Sequence, residues 1–301
     1  MTINCYQLTP GGITPLRISA STLDDMTREL PQGFYTTFTT LAGGTRVLGL
    51  KSHLQRLYIP AHDLGLKPAL EEAALPQRLA ELVKQNLPRE SRVRLILTRE
   101  AGELYAGLEP FTPLPETVYT NGVHVITADL ARRNPRIKDT DFIAQSLAQR
   151  QMLNRDVFEV LLTKNGAILE GMTSNFYAVR YVIARRSETT TKQSSEDEAS
   201  PRRSIRNDST LITARYGILP GVTRRIVLRL ARGQGIRIEY RAPRMDETFD
   251  EAFLTSSSRG VVPVVMMDGE PVGQGRVGEV TKRLSKAYKA YLQQHAELIG
   301  A

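Results

Sequence analysis

The chain has 301 residues, 41% hydrophobic and 24% charged, enough to bury one large core or two modest ones and unlike any fibrous protein. No apolar stretch approaches the roughly eighteen residues a membrane helix needs, and the single cysteine, Cys5, excludes an intrachain disulfide or a cysteine-rich zinc cluster. The net charge of +8 admits a polyanionic partner, but part of the excess sits in one polar run, 185–206, so a solvated loop is expected there and neither nucleic acid nor a membrane is expected as partner.

The first residues, Met1 to Cys5, lack the basic and apolar regions of a signal peptide, which with the lone cysteine makes a reducing, cytoplasmic location the expectation. Strands are expected over 3–8 and 14–18, and over 34–40 and 45–50 as a hairpin about Ala42-Gly43-Gly44. Alternation sends Phe34 and Tyr35 to opposite faces, where an aromatic is more often core than site. In 51–64, Leu54, Leu57, Tyr58, Ala61 and Leu64 have the three-and-four spacing of an amphipathic helix, with Arg56 beside the stripe. A second helix, about 71–85, precedes a strand at 92–99 in which Arg92 and Arg94 share one face and Arg99 takes the other. Gly and Pro punctuate 102–115, which reads as a loop able to overhang a neighbouring subunit's pocket.

A strand is expected at 118–126, followed by a link at 131–134 between an N-terminal α/β domain, 1–128, and a second domain, 135–301. Asp139 or Thr140 can cap a helix at 142–153. Strands at 158–163 and 167–170 flank Lys164-Asn165-Gly166, a hairpin turn that leaves Glu170 on a rigid element. Ser, Thr and charge then dominate, and about 183–209 is expected to be a disordered insertion. Pro220-Gly221-Val222-Thr223 opens a helix whose unpaired N–H groups and dipole suit an anion, although every helix start shares that property. Strands at 236–240 and 251–255 lead to Ser256-Ser257-Ser258, and a C-terminal helix at 277–298 carries the stripe Val280, Leu284, Ala287, Tyr291.

Several of these pieces stand in a telling order: Gly33-Phe34-Tyr35 with His53-Leu54-Gln55-Arg56-Leu57; Lys138; Glu170-Gly171 with Ser174-Asn175-Phe176; Leu219-Pro220-Gly221-Val222-Thr223-Arg224; and the serine run within 253–264. Together they resemble the class IV aminotransferases, the fold-type IV pyridoxal phosphate (PLP) enzymes that include branched-chain aminotransferases, D-amino acid aminotransferases and aminodeoxychorismate lyases. The resemblance covers nearly the whole chain. It implies a mixed α/β (α+β) protein with a small N-terminal domain and a larger, barrel-like PLP-binding domain, working as a homodimer on amino acids and keto acids, with PLP and no metal.

On that resemblance Lys138 is the catalytic lysine and covalent tether, Glu170 pairs with the pyridine nitrogen, and Arg56, Asn175, Val222, Thr223 and Ser257 complete the cofactor site. Tyr35, Arg94, Arg99 and Ser258 face the substrate, Arg94 matching the branched-chain pattern and Arg99 the D-amino acid pattern. The residue types suit the chemistry: an amine attacks a carbonyl only where it can lose its proton, and a carboxylate aimed at a ring nitrogen keeps that nitrogen protonated. The expected function is amino transfer between an amino acid, of branched-chain type, and an α-keto acid. A lyase giving pyruvate, or a basic non-catalytic binding protein on the same fold, are the alternatives. The chain departs from the family pattern at Thr36, where an acidic residue is common, at Ile143, where branched-chain enzymes place a tyrosine, and at Arg259-Gly260 after the serines.

Overall fold

A computed structural model describes residues 3–154, 156–181 and 209–300. The insertion expected at 183–209 lies outside the described residues apart from Ser209, which opens a strand. In chain order the first elements are β1 (Asn4–Thr9), β2 (Gly12–Leu16), α1 (Leu23–Arg28), β3 (Gly33–Thr39), β4 (Arg46–Val47), α2 (Leu50–Asp63), α3 (Leu75–Val83), β5 (Ser91–Thr98) and β6 (Leu104–Pro110). Then come α4 (Glu116–Asn121), β7 (Val123–Asp129), α5 (Asp141–Gln145), α6 (Leu147–Gln151), β8 (Glu159–Lys164), β9 (Ala167–Gly171), β10 (Asn175–Tyr181), β11 (Ser209–Ile212) and α7 (Val222–Gly233). The chain closes with β12 (Arg237–Glu239), β13 (Glu251–Ser256), β14 (Gly260–Met267), β15 (Glu270–Pro271), α8 (Glu279–His295) and β16 (Glu297–Leu298).

A first sheet runs β2-β1-β6-β5-β3, and a second runs β12-β11-β10-β13-β14-β7-β8-β9 with β15 on β14. One face of the first sheet packs Phe34, Phe38, Val93 and Leu95 against Leu54, Leu57, Tyr58 and Ala61 of α2, the expected stripe without Leu64, which is 62% exposed. In the second sheet alternation divides β10: Phe176 joins a cluster with Leu161, Leu254 and Val264, whereas Tyr177 joins α7 and α8 through Val227, Val280 and Leu284. No helix of the described residues is long and apolar enough to cross a membrane.

Four expectations change. The stretch 102–115 is not simply a loop, because Leu104–Pro110 forms β6 between β1 and β5, hydrogen-bonded on both edges. Its glycine is a packing requirement: a Cβ at Gly107 would sit 2.3 Å from the Met26 Sδ of α1. The hairpin expected from 34–40 and 45–50 does not form, since β3 pairs with β5 and the apolar spacing from Leu50 onward favours α2, entered through Gly49 in the left-handed region (φ 67°). Strand β7, placed with the first unit by a division at 128, is hydrogen-bonded between β14 and β8, so the chain changes sheets in 111–115. The helix expected at 142–153 is broken at Ser146, whose hydroxyl donates to the Phe142 carbonyl at 2.6 Å.

The start of α8 shows how a buried carboxylate can replace a cap. Gly278 offers no capping side chain. Instead Glu251 of β13 accepts the Val280 N–H at 2.9 Å, the Thr281 N–H at 2.8 Å and the Thr281 hydroxyl at 2.6 Å. A negative charge at the positive end of a 17-residue helix, with three donors satisfied, is a strong tie between sheet and helix. Glu251→Ala is expected to lower stability by about 3 kcal/mol, read from the urea midpoint, by orphaning those donors.

Candidate active site

Strand β3 is the edge of the first sheet, and the linker before α5 closes it. The Tyr35 N–H donates to the Lys138 carbonyl at 2.8 Å, the Thr140 N–H to the Gly33 carbonyl at 2.9 Å, and the Gly33 N–H to the Thr140 hydroxyl at 3.0 Å. Lys138 is thus fixed by backbone pairing while its side chain is left to the space between the sheets. Asp139 rather than Thr140 caps α5, accepting the Phe142 N–H at 3.2 Å.

That space is a cavity of about 590 Å3. Lys138, Tyr35, Arg56, Arg94, Glu170, Asn175, Val222, Thr223, Ser257 and Ser258 all line it, brought together from both sheets. Arg99 does not. It stands in the turn just past the end of β5, and its guanidinium pairs with Asp141 at 2.7 Å and Gln32 at 3.0 Å. Arg94 lines the cavity but is buried and already engaged, donating to Asp24 at 2.6 Å, the Leu23 carbonyl at 2.9 Å and the Thr27 hydroxyl at 2.9 Å.

The Lys138 ammonium lies 4.5 Å from the centre of the Tyr35 ring. Burial, opposed by the Tyr35 phenol and reinforced by Arg132, Arg56 and Arg94, lowers the Lys138 pKa to about 8. Tyr35 responds in kind: burial pushes its phenol up, but Lys138 and the arginines bring it down to about 8. Glu170 is buried at the end of β9. Its Oε1 accepts from Arg132 Nε at 2.7 Å, and its Oε2 from the Leu219 N–H at 3.0 Å and Asn175 Nδ2 at 3.2 Å. Burial raises the Glu170 pKa, held back by Arg132 and the Leu219 N–H.

At the other end of the cavity the α7 N-terminus has no side-chain cap, and Arg56 reaches across from α2 to donate to the Pro220 carbonyl at 2.7 Å. Gly221 must be glycine, because a Cβ there would lie 2.1 Å from Asn175 Oδ1. Uncapped N–H groups, the Thr223 and Ser257 hydroxyls and a guanidinium make a donor set for a phosphate. The cofactor implied by the resemblance fits on a second ground. Arg132 Nη1 is buried with no partner among the described residues, in a side chain only 4% exposed whose Nε holds Glu170, so a ring oxygen beside that carboxylate would meet a waiting donor.

Arg132 escaped the sequence reading because it stands in an aperiodic linker. It is positioned by tertiary contacts alone: Glu170, the Met172 carbonyl at 2.9 Å and the Phe142 ring at 3.6 Å. Two departures from the family pattern now have local reasons. The Thr36 hydroxyl is hydrogen-bonded to His53 Nδ1 at 2.7 Å, where burial and the nearby Arg56 and Lys138 keep the ring neutral, and Ile143 is core, packed with Tyr35 and Ile96.

Comparison with known proteins shows the family and the fold. A family model for amino-transferase class IV matches residues 33–266. A D-alanine aminotransferase of Bacillus licheniformis is 31% identical over 252 residues, 79% of this chain and 80% of that protein. A protein assigned as a branched-chain-amino-acid aminotransferase in Methanocaldococcus jannaschii is 27% identical over 262 residues, 81% of this chain and 82% of that one. Among solved structures, the Escherichia coli branched-chain amino acid aminotransferase superposes with a TM-score of 0.70 at 16% identity, covering 96% of this chain and 94% of that one. A hypothetical aminotransferase from Mycobacterium tuberculosis, in its PLP-bound form, gives a TM-score of 0.69 at 19% identity, covering 95% and 98%. At these identities the structural likeness is one of fold.

Proposed function

The chain belongs to the class IV aminotransferase family, and from that premise we propose that it moves an amino group between an amino acid of branched-chain type and an α-keto acid. It is a PLP-dependent transaminase. What supports the site assignment is one observation: Lys138, Glu170 and Thr223, from three separate parts of the chain, line a single cavity. The apolar side chains Phe111, Leu114 and Leu153 line the same cavity and suit a branched aliphatic substrate. We also read the protein as a cytoplasmic homodimer, in keeping with the family resemblance.

When bound, PLP supplies an electron sink for the bonds around the substrate's amino carbon. The chain's own groups do the rest. Arg56, the N–H groups at Val222 and Thr223, and the Thr223 and Ser257 hydroxyls bind the phosphate. Glu170, fixed by Arg132, Asn175 and Leu219, would keep a proton on the ring nitrogen. Lys138 would tether the cofactor and supply the amine that moves a proton at the substrate's amino carbon, a role its lowered pKa suits near neutral pH.

Borohydride reduction of the loaded protein, followed by peptide mapping, is expected to place the label on Lys138. In cofactor-free protein the rate of aldehyde capture should rise about tenfold per pH unit and flatten near pH 8, because only the neutral amine reacts and burial has moved its pKa there. An unshifted lysine would keep gaining to about pH 10.4. A label elsewhere, or no cofactor binding, refutes the assignment.

A further inference from the structure

Resting on the transaminase reading, we propose that His53 is a positioning residue for the cofactor phosphate, acting from behind, through one bridging water, on the hydroxyls of Thr223 and Ser257. Behind the α7 N-terminus lies a second cavity of about 10 Å3, near the least that admits a single water. Val222, Thr223 and Ser257 line both cavities and so form the wall between them. On the far side of that wall stand His53 of α2, Thr39 of β3 and Tyr288 of α8. A buried water is held by about three polar partners, and the hydroxyls and the imidazole around this space supply them.

The hydrogen of the His53 ring can be placed from its partners. Burial, with Arg56, Lys138 and Arg225 nearby, keeps the ring neutral, so one nitrogen carries a hydrogen and the other a lone pair. Nδ1 lies 2.7 Å from the hydroxyl of Thr36, a residue with no exposed surface. That hydroxyl has no other partner among the described residues, so its own hydrogen goes to Nδ1 rather than being left buried and unpaired. The ring hydrogen is then on Nε2, on the opposite side of the imidazole from Thr36. His53 lines the small cavity and Thr36 does not, which puts that side of the ring toward the water. A carboxylate at position 36 would accept from Nδ1 instead and turn Nε2 into an acceptor. The departure from the family pattern at Thr36 thus sets the tautomer.

With that tautomer every hydrogen runs toward the phosphate. Nε2–H donates to the water, the water donates to the Thr223 and Ser257 oxygens, and each hydroxyl is left to donate its one hydrogen forward to a phosphate oxygen. The Tyr288 hydroxyl stands beside Thr223 on the same side and can serve it in the same sense. Without donors behind them, the two hydroxyls are free to turn their hydrogens back into the small cavity. Donors in series also strengthen one another where bulk water is excluded. Arg56 answers the charge of the phosphate, whereas His53 sets the direction of the hydroxyls without touching the cofactor.

The test compares affinity for PLP with affinity for pyridoxal, which lacks the phosphate, so that the ratio isolates the phosphate end. His53→Phe keeps a ring and loses both nitrogens, and the ratio should fall about fivefold, the worth of one hydrogen bond. His53→Gln brings an amide N–H close to where Nε2 stands and should lose less than about twofold. Thr36→Val keeps the shape of the strand residue without its hydroxyl. It should lower the ratio about threefold in the wild-type background and leave it unchanged in His53→Phe, because the threonine acts through the ring. Should His53→Phe fail to fold, Thr36→Val and His53→Gln still decide, together with 15N NMR of the wild-type holoenzyme, which should show the His53 hydrogen on Nε2. A hydrogen on Nδ1, a ratio as low in His53→Gln as in His53→Phe, or a ratio unmoved in all the variants overturns the role of His53. Failure of the transaminase reading would look different: neither PLP nor pyridoxal would bind, while inorganic phosphate titrated into the cofactor-free variants would still report on His53.

Discussion

Lys138→Ala is expected to lower kcat on the order of 10,000-fold while leaving the fold intact, the largest activity loss of any single substitution in this chain. The structure separates the two effects. What Lys138 gives the fold is its carbonyl, which accepts the Tyr35 N–H at 2.8 Å, and alanine keeps that bond. What it gives the chemistry is an amine held among Arg132, Arg56 and Arg94 in surroundings that favour its neutral form. Removing it relieves repulsion among those cations, so the thermal midpoint of the cofactor-free variant should not fall. The variant should still bind PLP through the phosphate donors, without the absorbance of the covalent link. Added methylamine should restore part of the rate, since a free amine can enter a cavity of about 590 Å3 and carry the same proton. A variant that kept more than about a hundredth of wild-type kcat would remove Lys138 from its role, because general acid–base catalysis alone is worth at least that much.

The sequence made legible whatever follows from short-range periodicity. The stripe of α2, the alternation that separates Phe34 from Tyr35, and the turn at Asn165-Gly166, with Asn165 at φ 52°, are all local properties. Alternation also paired Arg92 with Arg94 and set Arg99 apart, but it could not say which face met the cavity, and Arg99 stands just past the end of β5, paired with Asp141. β6 was hidden because Gly102, Gly107 and Pro110 imitate loop composition, whereas Gly107 is there to admit Met26. Arg132 was invisible for the opposite reason: nothing around it is periodic, and its partner Glu170 is 38 residues away. The pairing of Glu159 with Arg259 was out of reach too, because the two are separated by 100 residues and meet only where β8 and the turn between β13 and β14 come together in one sheet.

Glu170→Gln should cost both stability and activity, and the two losses can be pulled apart. Every atom facing the Glu170 carboxylate is a donor: Arg132 Nε, the Leu219 N–H and Asn175 Nδ2. A glutamine keeps one acceptor oxygen, but its NH2 must then point at another donor, and Arg132 is left buried without its counter-charge. Breaking a buried pair by removing one partner costs about 3–5 kcal/mol, so Glu170→Gln should lower the urea midpoint markedly. Adding Arg132→Met takes the stranded charge away and should recover about half of that loss, because two matched apolar or neutral groups replace a pair whose desolvation was never free. Activity should not follow. Without a carboxylate the ring nitrogen has no group to keep it protonated, and kcat should stay about 100-fold to 1,000-fold below wild type in both variants, the range for losing one preorganised electrostatic contact. If the double variant instead regained activity in step with its stability, Glu170 would be a structural partner of Arg132 and nothing more. An aspartate at 170 makes the complementary case: it retains the charge but is one methylene too short for both Arg132 and Leu219, so it should keep more activity than glutamine while recovering little stability.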